Sequence, residues 1–170
     1  DPSLLKCLQN LAYDQFYCEH IYVFSTLSLR EVLKNFKLEI FDVENTKTHG
    51  GSNRYYIKKN INSLYKISNR VKIEIKKELQ FGINKFSTYQ TFAKKVKISK
   101  NKLLKIFSSL SKKKLRIVGY GATAKSCTVL NYCGLGKNDI KYFYDTTSYK
   151  VNKYLPGSKI LIKKYKKLNR

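Results

Sequence analysis

Residues 115–136 read LRIVGYGATAKSCTVLNYCGLG, and their order decides how the chain is read. An apolar run over 115–118 meets the turn Gly119-Tyr120-Gly121-Ala122. A helix-compatible segment over 123–132 follows, and Gly134 and Gly136 close it. This is strand, tight turn, helix and stop. Glycine at such a turn lets a backbone approach a ligand, or lets a helix pack closely on a strand. Residues 140–144 predict a second strand ending in Asp145, 24 residues beyond Gly121. In a dinucleotide fold an acid near that distance accepts from a ribose hydroxyl. The turn lacks the third glycine of GxGxxG, with Ala124 in its place, so the pattern alone is a partial signature. Residues 154–157 predict a turn, 159–162 a third short strand, and 163–170 a basic, frayed tail.

Toward the N-terminus the pattern changes. Leu64, Ile67, Val71, Ile75 and Leu79 recur at spacings of three and four, which predicts a helix over 61–80 ended by Gly82. Ser87 or Thr88 is expected to cap a second helix reaching Leu110. Its inward residues are Phe92, Val96, Leu103 and Phe107, and Ser99 is a point of interruption. The lysines on both helices read as solvated faces. Before them, 38–43 and 54–57 predict strands on either side of His49-Gly50-Gly51-Ser52. Two neighbouring strands suit the antiparallel end of an α/β sheet. Ser28-x-x-Glu31 fits a capping box, followed by a face of Leu29, Val32, Leu33 and Phe36. Leu4, Leu5, Leu8 and Leu11 predict an amphipathic opening helix. Between these lies Asp14-Gln15-Phe16-Tyr17-Cys18-Glu19-His20, then the strand-like run Ile21-Tyr22-Val23-Phe24. Polar residues at the mouth of a strand face a cleft in many α/β proteins.

Composition narrows the classes. The chain has 170 residues, is 42% hydrophobic and carries a net charge of +24. The charge is uneven: residues 1–45 have a net of −3 and the rest +27. Such asymmetry suits a polyanion or a phosphate-bearing substrate. Abundant Lys, Asn, Ile and Tyr also match AT-rich codons, which place lysine on solvated faces without any ligand. No apolar run approaches a membrane span. Cys7, Cys18, Cys127 and Cys133 form no CxxC pair, and His20 and His49 complete no zinc spacing, so no metal site is expected. Buried free thiols in a reducing cytosol are the expectation. The sequence contains no Met and starts at Asp1, which points to a fragment.

Three stretches together resemble the S-adenosylmethionine-dependent sugar C-methyltransferases. The segment 14–25 is similar to their substrate-site segment, and His49-Gly50-Gly51-Ser52-Asn53-Arg54 to the HGGS-x-R turn that follows it. The third stretch, similar to their C-terminal domain, combines Gly119-Tyr120-Gly121-Ala122-Thr123-Ala124-Lys125, Leu130-Asn131-Tyr132-Cys133-Gly134, and Asp145 through Pro156-Gly157. The chain departs from the family pattern at Cys18, Asn53 and around 158–161.

The resemblance implies an α/β fold. Residues 1–57 would be the last strands of a class I methyltransferase sheet, 58–112 a helical linker, and 113–170 a C-terminal Rossmann-like domain. It implies a cytoplasmic transferase fragment whose partners are a nucleotide-diphosphate sugar and a missing N-terminal half. That half would hold the S-adenosylmethionine site, leaving the isolated chain inactive. His20 would be the base, Glu19 its orienting group or a sugar ligand, and Tyr17 a donor to the developing oxyanion. Gly50, Gly51, Ser52 and Arg54 would line the substrate. Gly119, Tyr120, Gly121, Lys125 and Lys150 would hold its diphosphate, with Asp145 on a hydroxyl. Two other readings remain open. A basic nucleic-acid-binding module, the less expected, would lose affinity steeply with salt. A nucleotide-binding protein without catalysis would not.

Overall fold

The computed structural model describes residues 1–166. They fall into two compact units: Asp1–Gln15 with Glu19–Lys95, and Phe16–Cys18 with the described residues from Val96 onward. Both α and β elements are present, as an α/β fold requires.

The first unit opens with α1 (Leu4–Gln9), which buries Leu5, Cys7 and Leu8. A single 3-10 turn, Tyr13–Gln15, follows. Helix α2 spans Thr26–Lys34 and starts one turn before the expected Ser28-x-x-Glu31 box. Ser25 is the cap: its hydroxyl accepts from Ser28 N at 3.0 Å, and Ser28 Oγ accepts from Ser25 N at 3.0 Å. Ser28 is therefore the reciprocal partner, a role open to any short hydroxyl at that position. Glu31 instead pairs with Lys34 at 2.9 Å on the exposed side.

Strands β1 (Leu38–Thr46) and β2 (Ser52–Lys59) pair antiparallel, with Val43 opposite Tyr55 and a bulge between Ile40 and Asp42. Leu33, Ile40, Val43 and Val71 form the core beneath them. The expected strand over 21–24 does not form: residue 21 is a bend and 22–24 join no ladder. Ile21 and Tyr22 are 79% and 71% exposed. Apolar residues in a row become a strand only where a partner edge lies alongside.

Helix α3 spans Asn69–Phe81, eight residues shorter at its start than the periodicity predicts. Ile61 and Leu64 are exposed because the backbone there closes the hairpin. Asn60 N donates to Lys37 O, and Leu64 N to the Asn62 side chain. Ser68 then fixes the helix start, with its N on Phe41 O at 2.8 Å and its Oγ on Asp42 at 2.6 Å. Arg70 pairs with the same carboxylate. Gly82 ends α3 in the left-handed conformation, as expected. Helix α4 (Phe86–Lys112) begins ahead of Ser87 and Thr88 and passes through Ser99 without a break. Thr88 Oγ1 reaches back to Gly82 O instead of capping. Serine in a helix interior costs only a fraction of a kcal/mol, about 0.5, too little to stop a helix of 27 residues.

The second unit takes α4 from Val96 onward. Its sheet is parallel, in the order β3 (Gly119–Tyr120), β4 (Phe143–Asp145), β5 (Ile162–Lys164). Each strand starts later than the sequence suggested. Leu115 N donates to Leu110 O and so closes α4. Leu155 N donates to Ile160 O and Tyr154 bridges Leu161 antiparallel, which ties 159–161 back onto 154–155 across the turn at 156–158. Lys163 and Lys164 lie in β5, so the expected fraying does not begin there, and 167–170 lie outside the described residues. Helix α5 (Ala124–Cys133) is ended by Gly134, as the pattern predicts, and Thr123, expected inside the helix, is its cap. Leu130, Leu135, Ile140, Phe143, Leu155, Ile160 and Ile162 make the core. A Cβ on Gly119 would collide with the Phe143 ring. Among the described residues none of the four cysteines is in a disulfide. Cys7 and Cys133 are buried, whereas Cys18 is exposed, against the expectation of buried thiols.

One buried acid organises the first unit. Glu78 is 0% exposed and accepts from Thr26 N at 2.6 Å and Leu27 N at 2.9 Å. It thereby satisfies two orphan amides at the head of α2 from outside that helix. Burial pushes its carboxyl above the usual range, although these N–H groups oppose the shift. Glu78→Ala should therefore destabilise the protein by about 3 kcal/mol, since two buried donors lose their acceptor. Urea unfolding followed by circular dichroism measures this. Asp42 gives a pH signature. Hydrogen bonds from Arg70 and Ser68 lower its pKa to about 2 in the folded state. Its contribution is present above the unfolded carboxylate value of about 3.9 and is lost as pH falls toward the folded one. The gap in Tm between wild type and Asp42→Asn should close over that window.

Candidate functional site

An open cleft of about 380 Å³ in the first unit is lined by Asp1, Pro2, His20, Thr46, Thr48, His49, Ser52, Asn53 and Arg54. Three segments build it. The loop after the 3-10 turn brings His20. The hairpin turn Thr48–Gly50 brings His49, whose φ is 53°. The start of β2 brings Ser52 through Arg54. Gly51, at φ 127°, lets the turn re-enter the strand beside the Lys6 side chain.

His20 Nδ1 lies 2.9 Å from Gln15 O. A carbonyl only accepts, so Nδ1 carries the hydrogen and neutral His20 has its lone pair on Nε2. That is the arrangement of a base. The His49 ring stands at 90° to the His20 ring, with centroids 5.5 Å apart. Gln15 Nε2 donates to His49 O at 2.7 Å. Arg54 reaches Glu44 at 3.3 Å on the solvent side. Asn53 is buried and hydrogen-bonded to Asn45 and Tyr55, which fixes the cleft floor.

Of the residues singled out in the sequence, the cleft gathers His20, Ser52 and Arg54. Gly50 and Gly51 shape its turn without being among its lining residues. Glu19 is exposed and outside the lining, and Tyr17 belongs to the second unit. Gln15, Thr46, Thr48, His49 and Asn53 were not assigned roles from sequence. His49 was visible inside the HGGS turn, but nothing in the spacing revealed that it faces His20.

The remaining residues cluster in the second unit. Asp145 Oδ2 accepts from Ala122 N at 2.7 Å, and Oδ1 from Thr147 N at 2.8 Å. Lys150 Nζ donates to Ala122 O at 2.9 Å and stands 3.5 Å from Asp145. Burial pushes the Asp145 carboxyl up, but the bonds from Thr147 and Ala122 and the Lys150 charge outweigh it, so its pKa lies below the usual range. Gly121, at φ 84°, makes the turn that presents the Ala122 amide. Tyr120 is 67% exposed and Lys125 half-buried. Asp145, Lys150 and the Gly121-Ala122 turn are thus one closed clamp. Among the described residues no group of three His, Cys, Asp or Glu could hold a metal, and no helix is long and apolar enough to cross a membrane.

Residues 47–170 match the family described as the C-methyltransferase C-terminal domain. The chain belongs to that family. It is also 30% identical, over 161 residues, to the C-methyltransferase NovU of Streptomyces niveus. The match covers 95% of this chain and 38% of that relative's length. In this C-methyltransferase C-terminal domain the matched region includes the hairpin turn, β2 and the second unit from Val96 onward.

The clamp predicts an asymmetry between two substitutions. Asp145→Ala leaves the Ala122 and Thr147 amides without an acceptor and should cost about 3 kcal/mol. Lys150→Met removes a half-exposed partner and should cost under about 1 kcal/mol. Thermal unfolding of both variants measures the difference.

Proposed function

We propose that this chain is the substrate-binding, C-terminal part of an S-adenosylmethionine-dependent C-methyltransferase. Its substrate is a nucleotide-linked keto-deoxysugar. The observation that carries the reading is His20. A C-methyltransferase must first make a carbon nucleophilic, and a carbon beside a ketone becomes so by losing a proton. A neutral imidazole with its lone pair on Nε2, in an open cleft, suits that step. His20 Nε2 removes the proton, and the electron pair moves onto the ketone oxygen. Glu19 binds a sugar hydroxyl or orients His20. Ser52 and Arg54 form the wall against the sugar nucleotide, on the turn that Gly50 and Gly51 shape, with Arg54 paired to phosphate. The turn Gly119-Tyr120-Gly121, with Lys125 and Lys150, serves the nucleotide diphosphate. Asp145 holds that turn in shape and is a candidate hydroxyl acceptor.

S-adenosylmethionine supplies the methyl group in this reading, but the described residues do not fit it. Gly50 and Gly51 belong to a hairpin turn and Gly82 caps a helix, so the first unit has no glycine-rich strand-to-helix turn. In the second unit the Ala122 amide and Asp145 are bonded to each other. We place the donor site on a further part of the enzyme, and the isolated chain does not transfer methyl groups. The open edge of β2 is the surface for that part. Asn53 N donates to Asp1 O at 2.9 Å, and Pro2 forms an antiparallel bridge with Ser52. The same alternation points the amides of Tyr55 and Ile57 outward. A cytoplasmic location follows from this reading.

In the enzyme that carries this chain, His20→Ala should abolish solvent deuterium exchange at the carbon beside the ketone, while nucleotide-sugar affinity changes less than about threefold. Mass spectrometry of recovered substrate reads the exchange. Retained exchange assigns the base to another residue.

A further inference from the structure

Gln15 makes more connections than a buried residue on a short 3-10 turn needs. It is 3% exposed. Its N donates to Ala12 O at 3.2 Å, which closes the turn. Its carbonyl accepts from His20 Nδ1, and its side-chain amide donates to His49 O across 34 positions of sequence. Its remaining polar atom, Oε1, is buried and has no hydrogen-bond partner among the described residues. A buried acceptor left without a donor costs about 1–3 kcal/mol. A leucine or methionine would fill the same space without that cost, so packing does not account for a glutamine here. What an apolar residue cannot do is donate to His49 O.

That bond has a purpose the backbone makes visible. His49 sits at φ 53° and ψ 28°, in the left-handed region, which costs a residue with a Cβ about 1 kcal/mol or more. Its neighbours Gly50 and Gly51 have no side chain to brace the turn. The Gln15 amide therefore supplies a long-range tie on the one strained, non-glycine residue of the turn. The same residue's carbonyl fixes which nitrogen of His20 carries the hydrogen. The carbonyl belongs to the backbone, so losing the side-chain tie releases His49 and leaves the His20 Nδ1 bond in place.

We infer that Gln15 is a positioning residue of the cleft, setting the tautomer of His20 through its carbonyl and the seat of His49 through its amide. The geometry stands on its own, and its catalytic meaning rests on the reading of His20 as the base. The two imidazoles are then a pre-set pair, with Nε2 of His20 held as the proton acceptor.

The test uses the whole 170-residue chain, labelled with 15N in its histidine rings, at a pH about two units above the ordinary imidazole value of roughly 6.5. Long-range proton–nitrogen correlation spectra distinguish the tautomers. In the wild type His20 should be mainly the Nδ1–H form, and ring protons of His20 and His49 should show mutual ring-current shifts. Gln15→Met keeps length and burial but removes the donor. Gln15→Met should leave His20 mainly in the Nδ1–H form, because the carbonyl that accepts from it is backbone and survives the substitution. It should erase the ring-current shifts. A folded Gln15→Met protein with its ring-current shifts unchanged overturns the inference. So does a wild-type His20 that is mainly Nε2–H, whether or not the variant folds. These spectra need no substrate, so the deuterium-exchange experiment can fail without affecting them, and the reverse also holds.

Discussion

Glu78 is a carboxylate with no solvent contact, and the head of α2 hangs on it. Two amides that no residue inside α2 can satisfy donate to its two oxygens. The bond network then runs outward. Thr26 Oγ1 meets Tyr55 OH at 3.3 Å, Asn53 Nδ2 meets the same phenol at 3.1 Å, and Asn45 holds Asn53. Burial pushes the Tyr55 pKa above its usual value, so it stays a neutral link. The chain of contacts ends at the floor of the His20 cleft. A buried polar network of this kind is favourable only when its members are satisfied. The position of the cleft therefore depends on one acid in α3.

The second unit repeats the device on a smaller scale. Asp145 takes two backbone amides, and Lys150 closes the circuit onto Ala122. The glycine turn owes its shape to this clamp and to the Phe143 ring that fills the space a Gly119 side chain would need. Beside it, Arg116 donates to Tyr142 OH at 2.6 Å and the phenols of Tyr142 and Tyr144 lie 3.2 Å apart. Hydrogen bonds from Tyr144 and Arg116 draw the Tyr142 pKa below its usual value, and the same Tyr142 contact raises that of Tyr144. An acid at a ribose-like distance from a glycine turn can thus serve the turn itself, and distance in sequence does not separate that role from ligand binding.

Elements closed by their own residues were legible in the sequence. Gly134 ends α5 as the pattern says, because a cap is a local bond between residues three or four apart. The hairpin around His49-Gly50-Gly51 was legible for the same reason. Thr123, expected inside α5, is its cap. Other failures involve distant partners. Residues 21–24 have strand-like chemistry and no edge to pair with. Leu64 and Ile67 extend a helical period that Ser68 cuts, since its bonds to Phe41 and Asp42 compete with helix continuation. Gln15 carried no signal, because its partners are His20 and a carbonyl 34 residues away.

Residue order by itself determined the α/β alternation, the strand–turn–helix around Gly119 and Gly121, the HGGS turn and, through three segments in register, the C-methyltransferase resemblance. These are features of composition, short spacing and backbone permissiveness. Tertiary structure alone decided that His49 faces His20, that Gln15 ties them together, and that Asp145 and Glu78 spend their charge on backbone amides. Each of those outcomes rests on a ring contact or a hydrogen bond between residues far apart in the chain. Such a bond exists only once packing has excluded water and left each donor a single acceptor.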